Sequence, residues 1–259
     1  MTPRDRRILA RVRELLDGGR ARGVLDRRDF LRLSTLGVGT AVLSACNSAG
    51  PERVQSLLTG VGRFNERVER WLFDRERLDP VSPQLRAAGS RFPAYHVADQ
   101  TPVWDASTMG EWRLRVEGAV RAPLSLSLAE LRALPVVTQR HHHYCVEGWT
   151  AVAAFGGVAL STLARMAQPT SDAGYVDFQS FDDGYHESWD TDSALHPQTL
   201  IVLAKDGGPL HVDYGAPARL HGPVKLGYKN TKYLTRIVFI PERNGGYWSD
   251  RGYEWYGGT

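Results

Sequence analysis

Scarcity narrows the reading first. Of 259 residues only two are cysteine, Cys46 and Cys145, and three are methionine. There is no C-x-x-C-H haem signature and no cysteine set for an iron–sulfur cluster. There is no H-E-x-x-H pair and no repeat with a 20–50 residue period. The uncharged run 33–45 is shorter than the ~20 apolar residues that span a bilayer, and no spanning run follows it. Basic excess is confined to one end. Residues 1–32 hold ten arginines against five acids, so behind the formal charge of +3 the rest of the chain is mildly acidic. That balance excludes general nucleic-acid binding, which needs a basic face.

The stretch "DRRDFLRLSTLGVGTAVLSAC" carries the pair Arg27 and Arg28, then Phe30 and Leu31, then a short apolar run ending in small residues. Charged start, short apolar middle and small end make an export signal. The paired arginines resemble the twin-arginine type, a route for proteins already folded, often around a cofactor. "LSAC" at 43–46 resembles a lipobox, which would leave Cys46 to carry lipid and tether a soluble domain to a membrane face. An uncleaved anchor ending in a buried cysteine is the alternative. Upstream, Ile8, Leu9, Val12, Leu15 and Leu16 share one helical face. If Cys46 is lipidated, Cys145 has no disulfide partner. A lone thiol outside the cytoplasm is then a buried small hydrophobe or a metal ligand protected by coordination.

Three regions are expected: a signal with lipobox over 1–46, a tether and helical segment over 47–91, and the main domain over 92–259. Val54, Leu57, Leu58, Val61, Val68, Trp71 and Leu72 follow a helical period, interrupted at Gly60 and Gly62, which predicts one broken helix or two. Leu78 to Pro93 reads as loop. "WRLRVEG" alternates as a strand. "LSLSLAEL" reads as a strand turning into a short helix, with Ser127 and Glu130 as a capping box. "VVTQRHHHYC" reads as a strand entering a loop, and a helix is expected over Leu160 to Ala167. "YVDFQSF", "TLIVLA" and "YLTRIVFI" read as strands, with turns at Asp183-Gly184 and "KDGG". The tail is rich in aromatics and glycine. Many strands with few short helices predict an α+β, β-rich domain.

The chemistry gathers at "QRHHHYCVEGWT", residues 139–150. Zinc takes histidine and cysteine, but adjacent strand residues point to opposite faces, so His141, His142 and His143 do not readily meet at one ion. A cysteine–histidine nucleophile is a second reading, although nothing marks an oxyanion hole. The third treats Cys145 as one soft ligand to a metal whose other positions belong to an organic cofactor. Such a cofactor needs an anchor for its charged end. "GAPARLHGPVKLGYKNTKYL" offers Arg219, Lys225, Lys229 and Lys232 amid glycines, suited to phosphate if they are more than a solvated basic loop.

"YCVEGW", "YGAPARL", "GPVKLGYKNTKYLTRI" and "GGYWSDRGY", in this order, resemble the molybdopterin-binding domain of the sulfite oxidase family, especially its bacterial protein-methionine-sulfoxide-reductase-like branch. The likeness runs over about 92–256. It implies the β-rich fold of that family and a molybdenum-molybdopterin cofactor whose metal is bound by the Cys145 thiolate. It carries the cofactor contacts onto Ser180, Arg219, Asn230, Thr231 and Lys232, with Tyr95 and His96 as weaker candidates. Two positions depart from it. Tyr214 stands where the sulfoxide-reductase branch has asparagine, and histidines precede Cys145 where arginines are familiar.

The resemblance thus implies an exported molybdenum oxidoreductase of the periplasm or cell envelope, reducing a small-molecule or protein-bound S-oxide or N-oxide. With no haem or cluster motif, electrons would come from a membrane haem or quinone partner. Glu147 and Trp149 would shape the pocket, and His143 is the expected catalytic proton source near neutral pH. The extra dimerisation domain of classical sulfite oxidases is missing, which implies a monomer. A sulfite-type dehydrogenase, or a non-catalytic lipoprotein that keeps the fold, are the alternatives.

Overall fold

The structure, a computed structural model, describes residues 52–79, 93–182 and 184–259. The expected export signal and lipobox with Cys46, the helical face expected from Ile8 to Leu16, the start of the expected tether, most of the proline loop, and Asp183 of the expected turn lie outside the described residues. The chain divides into two units, 1–63 and 64–259. Of the first, only the beginning of helix α1 (Glu52–Leu72) is described. That helix runs unbroken through Gly60 and Gly62, against the sequence expectation of a break. Glycine costs a helix interior about 1 kcal/mol but keeps its N–H, whereas proline would remove a hydrogen bond. Among the described residues no helix is long and apolar enough to cross a membrane.

The second unit is built on two five-stranded sheets. After a one-turn helix α2 (Ala106–Met109) come strands β1 (Arg113–Gly118) and β2 (Leu124–Ser127), then helix α3 (Leu128–Ala133). Ser127 caps α3, with the Ser127 hydroxyl and Glu130 carboxylate satisfying each other's backbone N–H groups as the sequence predicts. The hairpin β3 (Val136–Tyr144) and β4 (Thr150–Ala159) leads into helix α4 (Leu160–Ala167). Strands β5 (Tyr175–Ser180) and β6 (His186–Asp190), helix α5 (Thr191–Ala194), strands β7 (Leu200–Lys205), β8 (Gly208–Pro209), β9 (Arg219–His221) and β10 (Leu234–Ile240) complete the order. One sheet runs β2-β1-β10-β5-β6, with only the β1–β10 pair parallel. The other runs β3-β4-β7-β8, with β9 also on β7.

The main core lies against both sheets: Leu114 and Val116 of β1, Val176 and Phe178 of β5, Ile237 and Phe239 of β10, Val158 of β4 and Ile201 of β7, closed by Leu160 and Leu163 of α4. A smaller cluster holds Ala153, Phe155, Leu200 and Val202. The apolar run of β7 therefore splits by parity between two clusters, as a strand buried on both faces must. The turn after it has Asp206 and Gly207 both at positive φ, 51° and 85°, the conformation of a two-residue hairpin turn.

Candidate active site

The β3–β4 hairpin carries the thiol. Across its tip the Cys145 N–H donates to the Trp149 carbonyl at 3.0 Å, and the Gly148 N–H to the Cys145 carbonyl at 3.1 Å. Gly148 has φ 87°, so the tight turn suits glycine there. Cys145 is thereby held, partly exposed, at the edge of a cavity of about 360 Å3. Glu147 organises this rim: its Oε2 accepts from Trp149 Nε1 and from the Tyr95 hydroxyl, both at 3.0 Å, with Cys145 Sγ at 3.9 Å. Burial, with the Glu147 carboxylate beside it, pushes the Cys145 thiol up. An activated cysteine nucleophile needs the opposite, a cationic neighbour that lowers the thiol pKa. A bound metal ion deprotonates a coordinating thiol outright.

Alternation along β3 separates the three histidines. His142 turns to Asp79, with Nδ1 2.9 Å from its carboxylate and the His142 N–H donating to Oδ2 at 2.7 Å. His141 and His143 point the other way and are buried. His143 lines the cavity, and its Nδ1 is 3.1 Å from Nε2 of His221, which stacks on Phe155 at 3.8 Å between ring centres. Burial, reinforced by the nearby Arg219 charge, pushes His143 down to about 3, and burial pushes His141 down to about 4. Burial thus moves His143 away from the near-neutral titration expected of a proton source, and its ring is held by His221. Among the described residues no three His, Cys, Asp or Glu side chains are grouped to hold a metal ion.

The basic loop divides in two. Lys225 and Lys229, expected as phosphate contacts, are wholly buried against β6. Lys225 Nζ meets Asp190 at 3.2 Å, and Lys229 Nζ meets Glu187 at 2.6 Å. Both are core ion pairs. Arg219 and Lys232 instead line the cavity. Arg219 is 3% exposed, yet its guanidinium donates only to the carbonyls of Leu220, Tyr214 and Asn230, each at 3.2 Å. Lys232 Nζ donates to the Asp213 carbonyl at 2.9 Å. Among the described residues no carboxylate pairs with either cation. Burial pushes Arg219 down to about 10; burial and then Arg219 push Lys232 down to about 7. Buried charges are ordinarily paired. Asp182 and Asp213 on the same wall act on Lys232 only from beyond ion-pair distance, so two cations with no carboxylate in direct contact face one cavity, which fits an anionic ligand.

The other expected contacts fall unevenly. Tyr95 and His96 line the cavity on a segment pinned by Asp182, whose two oxygens accept the Val97 and Ala98 N–H groups at 2.7 and 2.8 Å. Nδ1 of His96 lies 2.6 Å from the Ala98 carbonyl. Asn230 lines the cavity too, but its side chain is spent on the loop, accepting from Gly222 N–H and donating to the carbonyls of Lys225 and Leu226. Ser180 and Thr231 are not on the wall. The Ser180 hydroxyl accepts from the Asp182 N–H, and Thr231 is buried with its hydroxyl toward the Phe178 carbonyl. Both sit one layer behind. Sequence reasoning missed Asp182 as the clasp and His221 as the partner of His143. His221 lies 78 residues beyond His143, and no local pattern links them.

The residues present suit a molybdopterin: a thiol for the metal at one place on the wall, and unpaired cations for an anionic end elsewhere on it. Comparison with known proteins agrees. The model of the oxidoreductase molybdopterin binding domain matches residues 99–248. YedZ1 of Azospira oryzae, which bears the name of a protein-methionine-sulfoxide reductase subunit, is 42% identical over 90% of this chain and 88% of its own. Two protein-methionine-sulfoxide reductase catalytic subunits are more distant. That of Campylobacter jejuni is 30% identical over 56% of this chain and 54% of its own; that of Xanthomonas campestris is 29% identical over 87% and 73%. Sequence, cavity and likeness converge, and the chain belongs to the family of molybdopterin-binding oxidoreductases.

Proposed function

We propose that the protein reduces S-oxides, methionine sulfoxide in proteins foremost, with electrons from a separate membrane haem or quinone protein, after export to the cell envelope. The observation that carries the reading is the meeting of Cys145 with the unpaired Arg219 and Lys232 on one cavity wall. The names of the relatives support the substrate class, and the paired arginines and lipobox support export and a membrane tether.

The Cys145 thiolate would bind the metal, and Arg219 with Lys232 would hold the anionic end of the pterin. When bound, the molybdenum group supplies two-electron oxygen-atom chemistry: an S-oxide, two protons and two electrons become a sulfide and water. The chain does the rest. Glu147 fixes Trp149 and the Tyr95 hydroxyl beside the thiol. Tyr228, Tyr233, Trp248 and Tyr253 give the cavity an aromatic wall that limits water and suits a thioether. His143, neutral and hydrogen-bonded to His221, keeps its ring orientation without adding charge.

The test is a screen of purified, cofactor-loaded protein. Reduced viologen dye should be oxidised by free and protein-bound methionine sulfoxide, with about one molybdenum per chain, and sulfite oxidation should be negligible. Sulfite turnover without S-oxide turnover would replace this reading with a dehydrogenase. Folded protein that never takes up molybdenum would leave a non-catalytic lipoprotein.

A further inference from the structure

From Phe64 to Leu72, helix α1 is turned the wrong way for a globular helix, whose apolar stripe ordinarily faces the core. Phe64, Val68, Trp71 and Leu72 lie at i, i+4, i+7 and i+8, a single stripe. Yet Phe64 is 58% exposed, Trp71 81% and Leu72 66%, with Val68 half-buried. The acids take the inner side. Glu66 is buried against Arg243 at 2.7 Å, and Glu69 buries a carboxylate oxygen. Arg70 meets Tyr175 beside them, and Arg67 stays exposed on the outer flank. The helix is thus seated on its domain by charged and polar contacts, and it offers outward a row of large apolar side chains edged by arginine.

We infer that this face lies on an anionic lipid surface, Phe64, Trp71 and Leu72 entering the interface and Arg67 meeting headgroup charge. Several observations favour lipid over a protein groove. With the acids turned inward, its outward charge along the stripe is cationic. It combines Trp, Phe and Leu with arginine, the composition that settles at a membrane interface. Reach agrees as well. Cys46 precedes Glu52 by six residues, a span of no more than about 20 Å, so a lipid on Cys46 would hold the helix beside the bilayer. The inference does not need that lipid. It also does not depend on the cavity chemistry, because a chain without molybdenum would bind equally. Its consequence is orientational: a tether alone leaves the domain free to tumble, whereas a docked helix fixes which side of it faces the membrane.

The experiment uses the full chain with Cys46→Ser, so that no acyl chain contributes, and measures co-sedimentation with vesicles. Phosphatidylglycerol/phosphatidylcholine vesicles should retain the protein more strongly than phosphatidylcholine alone. Phe64→Glu with Trp71→Glu should lower the partition coefficient about tenfold or more, while Trp71→Phe should keep most of it. Circular dichroism should be unchanged, since both sites are exposed. Equal binding by the double variant would mean that the N-terminal residues alone hold the lipid, and the inference fails. It fails equally if no vesicle binds, or if binding appears only with membranes containing their native proteins, which would assign the face to a protein partner.

Discussion

Replacing Lys232 by methionine should flatten part of the pH dependence of stability in the cofactor-free chain. The Lys232 ammonium has the Asp213 carbonyl and the face of the Tyr233 ring, 4.9 Å away, as partners, and no carboxylate in ion-pair contact. Burial and the neighbouring Arg219 bring its pKa from 10.5 down to about 7. Between those values the unfolded chain holds a proton that the folded chain has released. Stability from this group is therefore fully present above pH 10.5 and is lost as pH falls through about 7. At about 1.4 kcal/mol per unit, the span from pH 9 to pH 7 corresponds to about 2 kcal/mol once partial exposure is discounted. Methionine retains the apolar stem and removes the titration. Chemical denaturation at pH 7, 8 and 9 should show wild type gaining about 2 kcal/mol more than Lys232→Met over that range. Comparing the two proteins cancels constant effects, such as the lost hydrogen bond, and the parallel contribution of Lys225, which burial pushes down to about 8. Phosphate bound beside Arg219 would return the proton to Lys232 and weaken the wild-type dependence. Parallel curves for the two proteins without phosphate would refute the premise that Lys232 lacks a carboxylate in direct contact.

Cys145→Ser should change stability by less than about 1 kcal/mol, because the thiol sits partly exposed at a hairpin tip. It should abolish dye-coupled S-oxide reduction and remove one sulfur ligand from the molybdenum X-ray absorption spectrum. Lys229→Met should cost about 3–5 kcal/mol in urea denaturation, since it leaves the wholly buried Glu187 carboxylate without its cation, and adding Glu187→Gln, which keeps an acceptor for the Trp248 N–H, should recover part of the loss. Gly157→Ala should cost about 1–3 kcal/mol by the same assay, because its Cβ would strike the Ile201 carbonyl oxygen of the neighbouring strand. A Gly157→Ala protein as stable as wild type would mean that β4 and β7 approach less closely than described.

The elements legible in the sequence are those whose pattern repeats a local rule. The alternation of Trp112, Leu114 and Val116 marks β1, the Ser127–Glu130 spacing marks the start of α3, and the apolar run 200–203 marks β7. Strand β4 escaped because "TAVAAFGGVA" is built from alanine and glycine, residues poor in strand propensity. Their small size is nevertheless what the fold requires. At Gly156–Gly157 the pairing register with β7 shifts, and a β-carbon at Gly157 would strike the β7 backbone. The same limit applies to the histidines. Alternation was enough to separate His142 from His141 and His143. It could not show that His221 arrives behind His143, nor that burial would keep both neutral.

The basic loop shows most clearly why charge pattern alone does not locate a site. Arg219, Lys225, Lys229 and Lys232 look equivalent in the sequence, four cations spaced among glycines. What separates them is the chemistry opposite each one. Lys225 and Lys229 meet Asp190 and Glu187, carboxylates on β6, a strand whose "HESWD" pattern carries too many polar residues to read as buried. Arg219 donates to carbonyls, and Lys232 meets a carbonyl and the Tyr233 ring, with no carboxylate in ion-pair contact with either. Burying a cation costs several kcal/mol unless an anion compensates it. The first pair is therefore satisfied within the fold, and the second remains to be satisfied by a ligand. The site is thus defined by a missing partner, which the four cations in sequence cannot reveal and the β6 carboxylates, once placed, make evident.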